Sequence, residues 1–176
     1  MSLSSIAAPL SALPRRALNL GGAAVCAALL ACAYYMQFGM GLEPCPLCIL
    51  QRLAVIALGL ALLGAGVLGA EGRARIAWTG MIGLSAGGGL LVAGRHVWLQ
   101  SLPPDQVPAC GPGLDYLIDA LPLFDALEEA FHGSGECARI DWTLLGLSLP
   151  VWTLMAFIVL GAVGLWNNLR VAPRRG

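Results

Sequence analysis

Four of the six cysteines in this 176-residue chain stand where a thiol can do chemistry. Cys45 and Cys48 form Cys45-Pro-Leu-Cys48 at the head of an apolar run, while Cys110 and Cys137 lie in a long polar stretch. A Cys-x-x-Cys pair at a helix start sits beside about half a positive charge, which favours the thiolate. Pro46 suits the first turn of that helix, because its missing N–H costs nothing there. Arg52 follows Cys48 by four residues, so a helix puts both on one face. An arginine just inside an apolar helix is costly and points to function. Snorkelling to the interface explains it, and so does neutralising a charge, which a thiolate at Cys48 or a polar ligand beside it supplies. The pair reads as a redox dithiol with a charge partner, ahead of an inert bridge or a metal site. Tetrahedral zinc usually draws on two close ligand pairs. Here only one pair is close, and His132 is a lone histidine near the distant Cys137. No metal site is expected.

Cys110 and Cys137 have two readings. A disulfide between them staples the loop and stabilises it by about 3.5 kcal/mol in the chain-entropy picture. The glycine- and proline-rich flanks, Pro108-Ala-Cys-Gly-Pro-Gly113 and Gly133-Ser-Gly135, equally suit a bridge open to an incoming thiolate. Between the two cysteines, Leu123, Phe124, Leu127 and Phe131 fall on one helical face. They predict a short amphipathic helix that lies on the membrane surface or docks on the rest of the protein. Cys26 and Cys32, inside an apolar run, read as small hydrophobes.

The elements that must position these residues follow from composition. Hydrophobic residues make up 58% and charged residues 11%, with a mean hydropathy of +0.78. A soluble domain carries about 25% charged residues and cannot hide so much apolar surface at this length. Ten basic and ten acidic residues balance, which excludes the basic stripe of a nucleic-acid binder. The hydrophobicity excludes disorder. The predicted class is an all-α integral membrane protein. Four runs are long enough to cross a bilayer: Ala17–Met36, Ile49–Ala70, Ile76–Gly94 and Leu144–Trp166. They leave tails at 1–16 and 167–176, a first loop at 37–48, a tight turn at 71–75 and a long loop at 95–143.

There is no lysine, so arginine alone sets the orientation. Arg15, Arg16, Arg73, Arg75, Arg170, Arg174 and Arg175 share one side and predict that both termini are cytoplasmic. The two remaining loops then face outward and carry all four informative cysteines, on the side where disulfides persist. A lipoprotein-like cleavage before Cys32 is the lesser reading, since Leu30 fits poorly and the apolar run continues. Gly83-Leu-Ser-Ala-Gly87 gives helix three a small-residue face, expected to pack inside the bundle rather than form a dimer. The chain is expected to be a monomer.

Two dithiol pairs on the oxidising side suggest an electron relay by thiol–disulfide exchange. No haem or iron–sulfur ligand set is present to accept the electrons, and a lipid-soluble quinone fits. With these residues the chain resembles the DsbB family, bacterial inner-membrane quinone reductases that reoxidise the periplasmic thiol oxidase DsbA. The resemblance runs from about Arg16 to Trp166. It rests on Cys45-Pro-Leu-Cys48-Ile-Leu-Gln-Arg52, on Arg95-His96-Val-Trp-Leu-Gln100, on Cys110 and Cys137, and on Asp141-Trp-Thr-Leu-Leu-Gly-Leu-Ser-Leu-Pro150.

The resemblance implies a four-transmembrane-helix bundle with a long periplasmic loop between helices three and four. It implies that Cys110 is attacked by a reduced DsbA-like partner and that Cys137 hands electrons on to Cys45. Cys48 becomes the thiolate that engages the quinone, a ubiquinone or a menaquinone. Arg52 stabilises that thiolate and the developing quinone anion. His96 lies near the quinone and Gln100 assists. Two rivals remain at this point. One is a vitamin K epoxide reductase-like quinone/thiol oxidoreductase, and the other a non-catalytic scaffold stapled by disulfides.

Overall fold

The computed structural model describes residues 13–69, 71–109, 116, 119 and 121–170. Cys110, Arg174 and Arg175 lie outside the described residues. Among the described residues, four helices are long and apolar enough to cross a membrane: α1 (Arg15–Met40), α2 (Pro46–Val67), α3 (Gly72–Gln100) and α6 (Leu149–Leu169). Between α3 and α6 the described residues include the short helices α4 (Leu123–His132) and α5 (Gly135–Ala138), and a hairpin of β1 (Thr143–Leu144) and β2 (Leu147–Ser148). The main contacts run α1–α2, α2–α3 and α3–α6, and a lighter α1–α6 contact closes the bundle.

The core is built from small and branched residues. Cys26, Val55, Leu58, Ala61, Leu62, Ala65, Ile82, Ala86, Ala93 and Phe157 form one buried cluster. Small residues let membrane helices approach closely, since lipid gives no hydrophobic drive between them. Gly89 shows why: a Cβ there would collide with the Phe157 ring. Gly87 and Gly88, by contrast, face open space, so only part of the small-residue face packs inward. Cys26 is buried in this core and Cys32 is exposed.

The element boundaries differ from the apolar runs in informative ways. Helix α3 continues to Gln100, six residues beyond the predicted Gly94, and carries Arg95, His96 and Gln100 on regular helix. Polar residues end an apolar run without ending a helix. Helix α6 starts at Leu149 rather than Leu144, because Leu144–Leu147 turns back as a hairpin through Leu145 (φ 52°) and Gly146 (φ 79°). Two positive φ values in succession are the signature of a tight hairpin turn. The predicted turn at 71–75 is largely helical, since α3 begins at Gly72.

The predicted amphipathic helix forms as α4 and docks on α2, but through a face the apolar pattern did not mark. Ala126 and Ala130 are buried, whereas Phe124, Leu127 and Phe131 remain exposed. Their small side chains allow close docking and leave the large ones outside.

At the end of the bundle opposite Cys45, three amides form a buried knot. Asn19 on α1 and Asn168 on α6 bond each other reciprocally at 3.1 Å, and Asn167 donates to Asn19 at 2.9 Å. Buried polar groups are tolerated when they find hydrogen-bond partners, which every side-chain nitrogen and oxygen of the knot does among the described residues except the Asn167 Oδ1.

Candidate redox site

The head of α2 is set by its own first residues. Cys45 is the N-cap, and its sulfur accepts from the Cys48 backbone N–H at 3.4 Å, with Pro46 in the first turn. The two sulfurs lie 3.0 Å apart. The capping sulfur faces the unpaired N–H groups at the positive dipole end of the helix. The preceding turn is made by Gly41, whose left-handed φ of 70° ends α1 and sends the chain back to Cys45.

Cys137 is delivered to this point by α5. Its sulfur is fully buried with Leu47 and Leu99 and takes part in a side-chain hydrogen bond with Cys45. That bond divides the two thiols. Cys45, which donates to Cys137 and is also held by Cys48 and by burial, is raised well above its ordinary value. Cys137 is lowered from 9 to about 6, first by the Cys45 thiol, against the opposing effect of burial, and then by the N–H groups of Leu47 and Ser134. Ser134 adds its hydroxyl, otherwise unpartnered among the described residues. Gly133 allows the approach. It takes a φ of 77°, and a Cβ there would fall 2.5 Å from Leu99.

His96 ties the loop to the bundle. Its Nε2 lies 2.9 Å from the Cys137 carbonyl oxygen and 3.8 Å from the Cys45 sulfur. Its Nδ1 lies 2.9 Å from the Gln51 side-chain nitrogen. The carbonyl can only accept, so Nε2 carries the proton and Nδ1 accepts from Gln51. Both His96 and Gln51 are buried.

Arg52 is fixed by α1. It donates to the Gln37 side-chain oxygen and, at 3.1 Å, to the Ala33 carbonyl, and its guanidinium stacks 5.1 Å from the centre of the Tyr34 ring. It lies within electrostatic range of Cys48. An apolar groove of about 390 Å³ between α1 and α2 begins just below it, lined among others by Leu30, Val55, Ile56 and Gly59.

The expected residues thus fall into groups. Cys45, Cys48, Cys137 and His96 converge, and Arg52 flanks them. Gln100 turns to the loop, donating to the Arg139 carbonyl at 3.3 Å and accepting from Ser148 at 2.6 Å. His132 is exposed beside Glu128. Gln37, Tyr34 and Gln51 were not singled out by the sequence. Gln51 alone had a visible signal, an amide inside an apolar helix directly before Arg52.

The family model for disulfide bond formation protein DsbB matches residues 15–167, the whole bundle from the start of α1 nearly to the end of α6. The chain belongs to the DsbB family. Among its relatives, the disulfide bond formation protein B of Marinobacter nauticus is 51% identical over 85% of this chain and 90% of that protein. That of Nitrosococcus oceani is 52% identical over 86% and 90%. The Acinetobacter baumannii protein of the same name is 52% identical over 80% and 83%. Membership of the DsbB family makes this a multi-pass membrane protein of disulfide bond formation. It also sets aside the vitamin K epoxide reductase-like and scaffold readings of the same cysteines.

Proposed function

We propose that this DsbB-family protein reoxidises a periplasmic DsbA-like dithiol and passes two electrons through Cys110/Cys137 and Cys45/Cys48 to a membrane quinone. The observation that carries the reading is the contact of Cys137 with Cys45, which joins the loop to the dithiol at the membrane edge. Both termini are read as cytoplasmic and the cysteines as periplasmic. This is supported by Arg15, which lies within electrostatic range of Arg75 and Arg170 at the other end of the bundle.

The residues around Cys48 fit a quinone. Arg52 offers a fixed cation beside a sulfur nucleophile, and the groove below it suits an isoprenoid tail. A bound quinone supplies the sink for two electrons and two protons next to Cys48.

Each protein step is a thiolate attack on a disulfide. A partner thiolate attacks the Cys110–Cys137 disulfide at Cys110, and Cys137 leaves as a thiolate. The N–H groups of Leu47 and Ser134 stabilise that thiolate as it leaves. The partner's second thiolate then closes the partner's own disulfide and releases Cys110. Cys137 next attacks Cys45 of the Cys45–Cys48 disulfide, and Cys48 leaves as a thiolate. Cys110 attacks Cys137, re-forms the loop disulfide and frees Cys45, which takes up a proton. The net result is one dithiol oxidised in the partner and one formed at Cys45/Cys48. Arg52 offsets the charge on Cys48, His96 positions Cys137, and Gln100 anchors the loop that carries it.

The test is anaerobic quinone reduction by the purified protein with a reduced DsbA-like donor. One quinone consumed per dithiol oxidised, and none with Cys48→Ser, supports the relay. Normal partner oxidation by Cys48→Ser overturns it.

A further inference from the structure

In the reduced protein the exchange cysteines at the head of α2 also form a ligand set together with His96. The ligand atoms of Cys45, Cys48 and His96 all lie within 4.8 Å of one another, and the Cys137 sulfur adjoins Cys45. Spacing along the chain does not mark this set, because the histidine comes from α3 and the third sulfur from α5. We propose that the reduced protein binds a thiophilic divalent cation of the zinc class through Cys45, Cys48 and His96, with Cys137 as the fourth ligand.

The geometry is close to what such an ion requires. Bonds of about 2.3 Å to sulfur and 2.0 Å to nitrogen in a tetrahedron put ligand atoms roughly 3.5–3.8 Å apart. Cys45 Sγ and His96 Nε2 are already 3.8 Å apart. The two sulfurs of the pair, at 3.0 Å, must open by less than 1 Å. The charges also suit. The three sulfurs bind as thiolates, any that are still protonated releasing the proton to solvent, and the resulting anionic site has the α2 dipole end and Arg52 beside it.

His96 must give up the Cys137 carbonyl and move its proton from Nε2 to Nδ1. The Gln51 side chain, now the donor to Nδ1, becomes the acceptor by rotating its amide. A carbonyl or carboxylate holding the far ring nitrogen is the usual support of a metal-bound histidine.

The site exists only in the dithiol state, because a Cys45–Cys48 disulfide removes two ligands at once. Metal binding and reoxidation are therefore mutually exclusive, and the ion holds the protein reduced. The proposal needs only the dithiol form, and stands whether or not a quinone is the acceptor.

The experiment uses the full chain in detergent, reduced and freed of reductant, and titrated with cobalt(II) alone. The expected result is one equivalent bound, with thiolate-to-cobalt charge-transfer and tetrahedral visible bands that zinc abolishes. Oxidised wild type shows neither band, a comparison that needs no variant. His96→Ala weakens binding about 10–100-fold or more, and Cys26→Ala/Cys32→Ala leaves it unchanged. Absence of both bands in reduced wild type overturns the proposal, as does an unaltered titration in His96→Ala or Cys45→Ser.

Discussion

The imidazole of His96, on a bundle helix, donates from Nε2 to the backbone carbonyl of Cys137, 41 positions away, at 2.9 Å. This single bond holds a loop cysteine against the dithiol at the head of α2. Losing the donor leaves a buried carbonyl unpaired, at a cost of about 1–3 kcal/mol. His96→Ala is expected to slow exchange between Cys137 and Cys45 about tenfold, with mixed-disulfide formation at Cys110 unchanged. Acid-quenched time courses resolved by non-reducing mass analysis separate the two steps. Equal slowing of both would show that His96 does not act through Cys137.

The guanidinium of Arg52 makes two bonds to α1 and stacks on Tyr34, which a lysine cannot reproduce. Hydrogen bonds to charged groups contribute about 1.5–3 kcal/mol, so Arg52→Lys is expected to raise the KM for quinone roughly tenfold or more. Partner binding should stay normal. Steady-state quinone reduction at varied quinone and varied partner distinguishes these outcomes, and an unchanged KM for quinone would remove Arg52 from the acceptor site.

Cys137 is lowered from 9 to about 6, chiefly by the hydrogen bond from Cys45. A depressed pKa means the folded state favours the thiolate. The resulting stabilisation is fully present above pH 9, the unfolded value, and is lost as pH falls through about 6. In the fully reduced protein, the thiolate ultraviolet absorbance missing from Cys137→Ser should titrate near pH 6. A midpoint near 9 would mean that Cys45 does not donate to it in solution.

The Asn19–Asn167–Asn168 knot joins the two terminal membrane helices at the end of the bundle opposite Cys45 and Cys48. Asn19→Ala leaves the buried Asn168 Oδ1 without its donor and is expected to destabilise the fold by about 1–2 kcal/mol. Thermal unfolding in detergent should show the loss, while the exchange rate of correctly folded protein remains that of wild type. A lowered exchange rate would couple this end of the bundle to the redox site.

The lengths of the apolar runs, set against the thickness of a bilayer, sufficed to determine four membrane helices from the sequence alone. The same local logic placed the Cys45-Pro-Leu-Cys48 pair on a helix N-terminus and Arg52 one turn further along its face, since helix geometry fixes what lies four residues away. Neighbours from other elements carry no such period. Nothing in the spacing marked His96 and Gln51, rather than His132, as the partners of the loop cysteine. Asn167 and Asn168 read as tail because an amide lowers hydropathy whether or not it finds a buried partner. The polar end of α3 read as loop, and Leu144–Ser148 read as helix when it is a hairpin, for the converse reason: apolarity reports burial or lipid contact, not backbone conformation. Those positions were decided by packing. Close approach at Gly133 and the seating of Leu47 against Leu99 bring Cys137 to Cys45, and only the folded chain makes that contact.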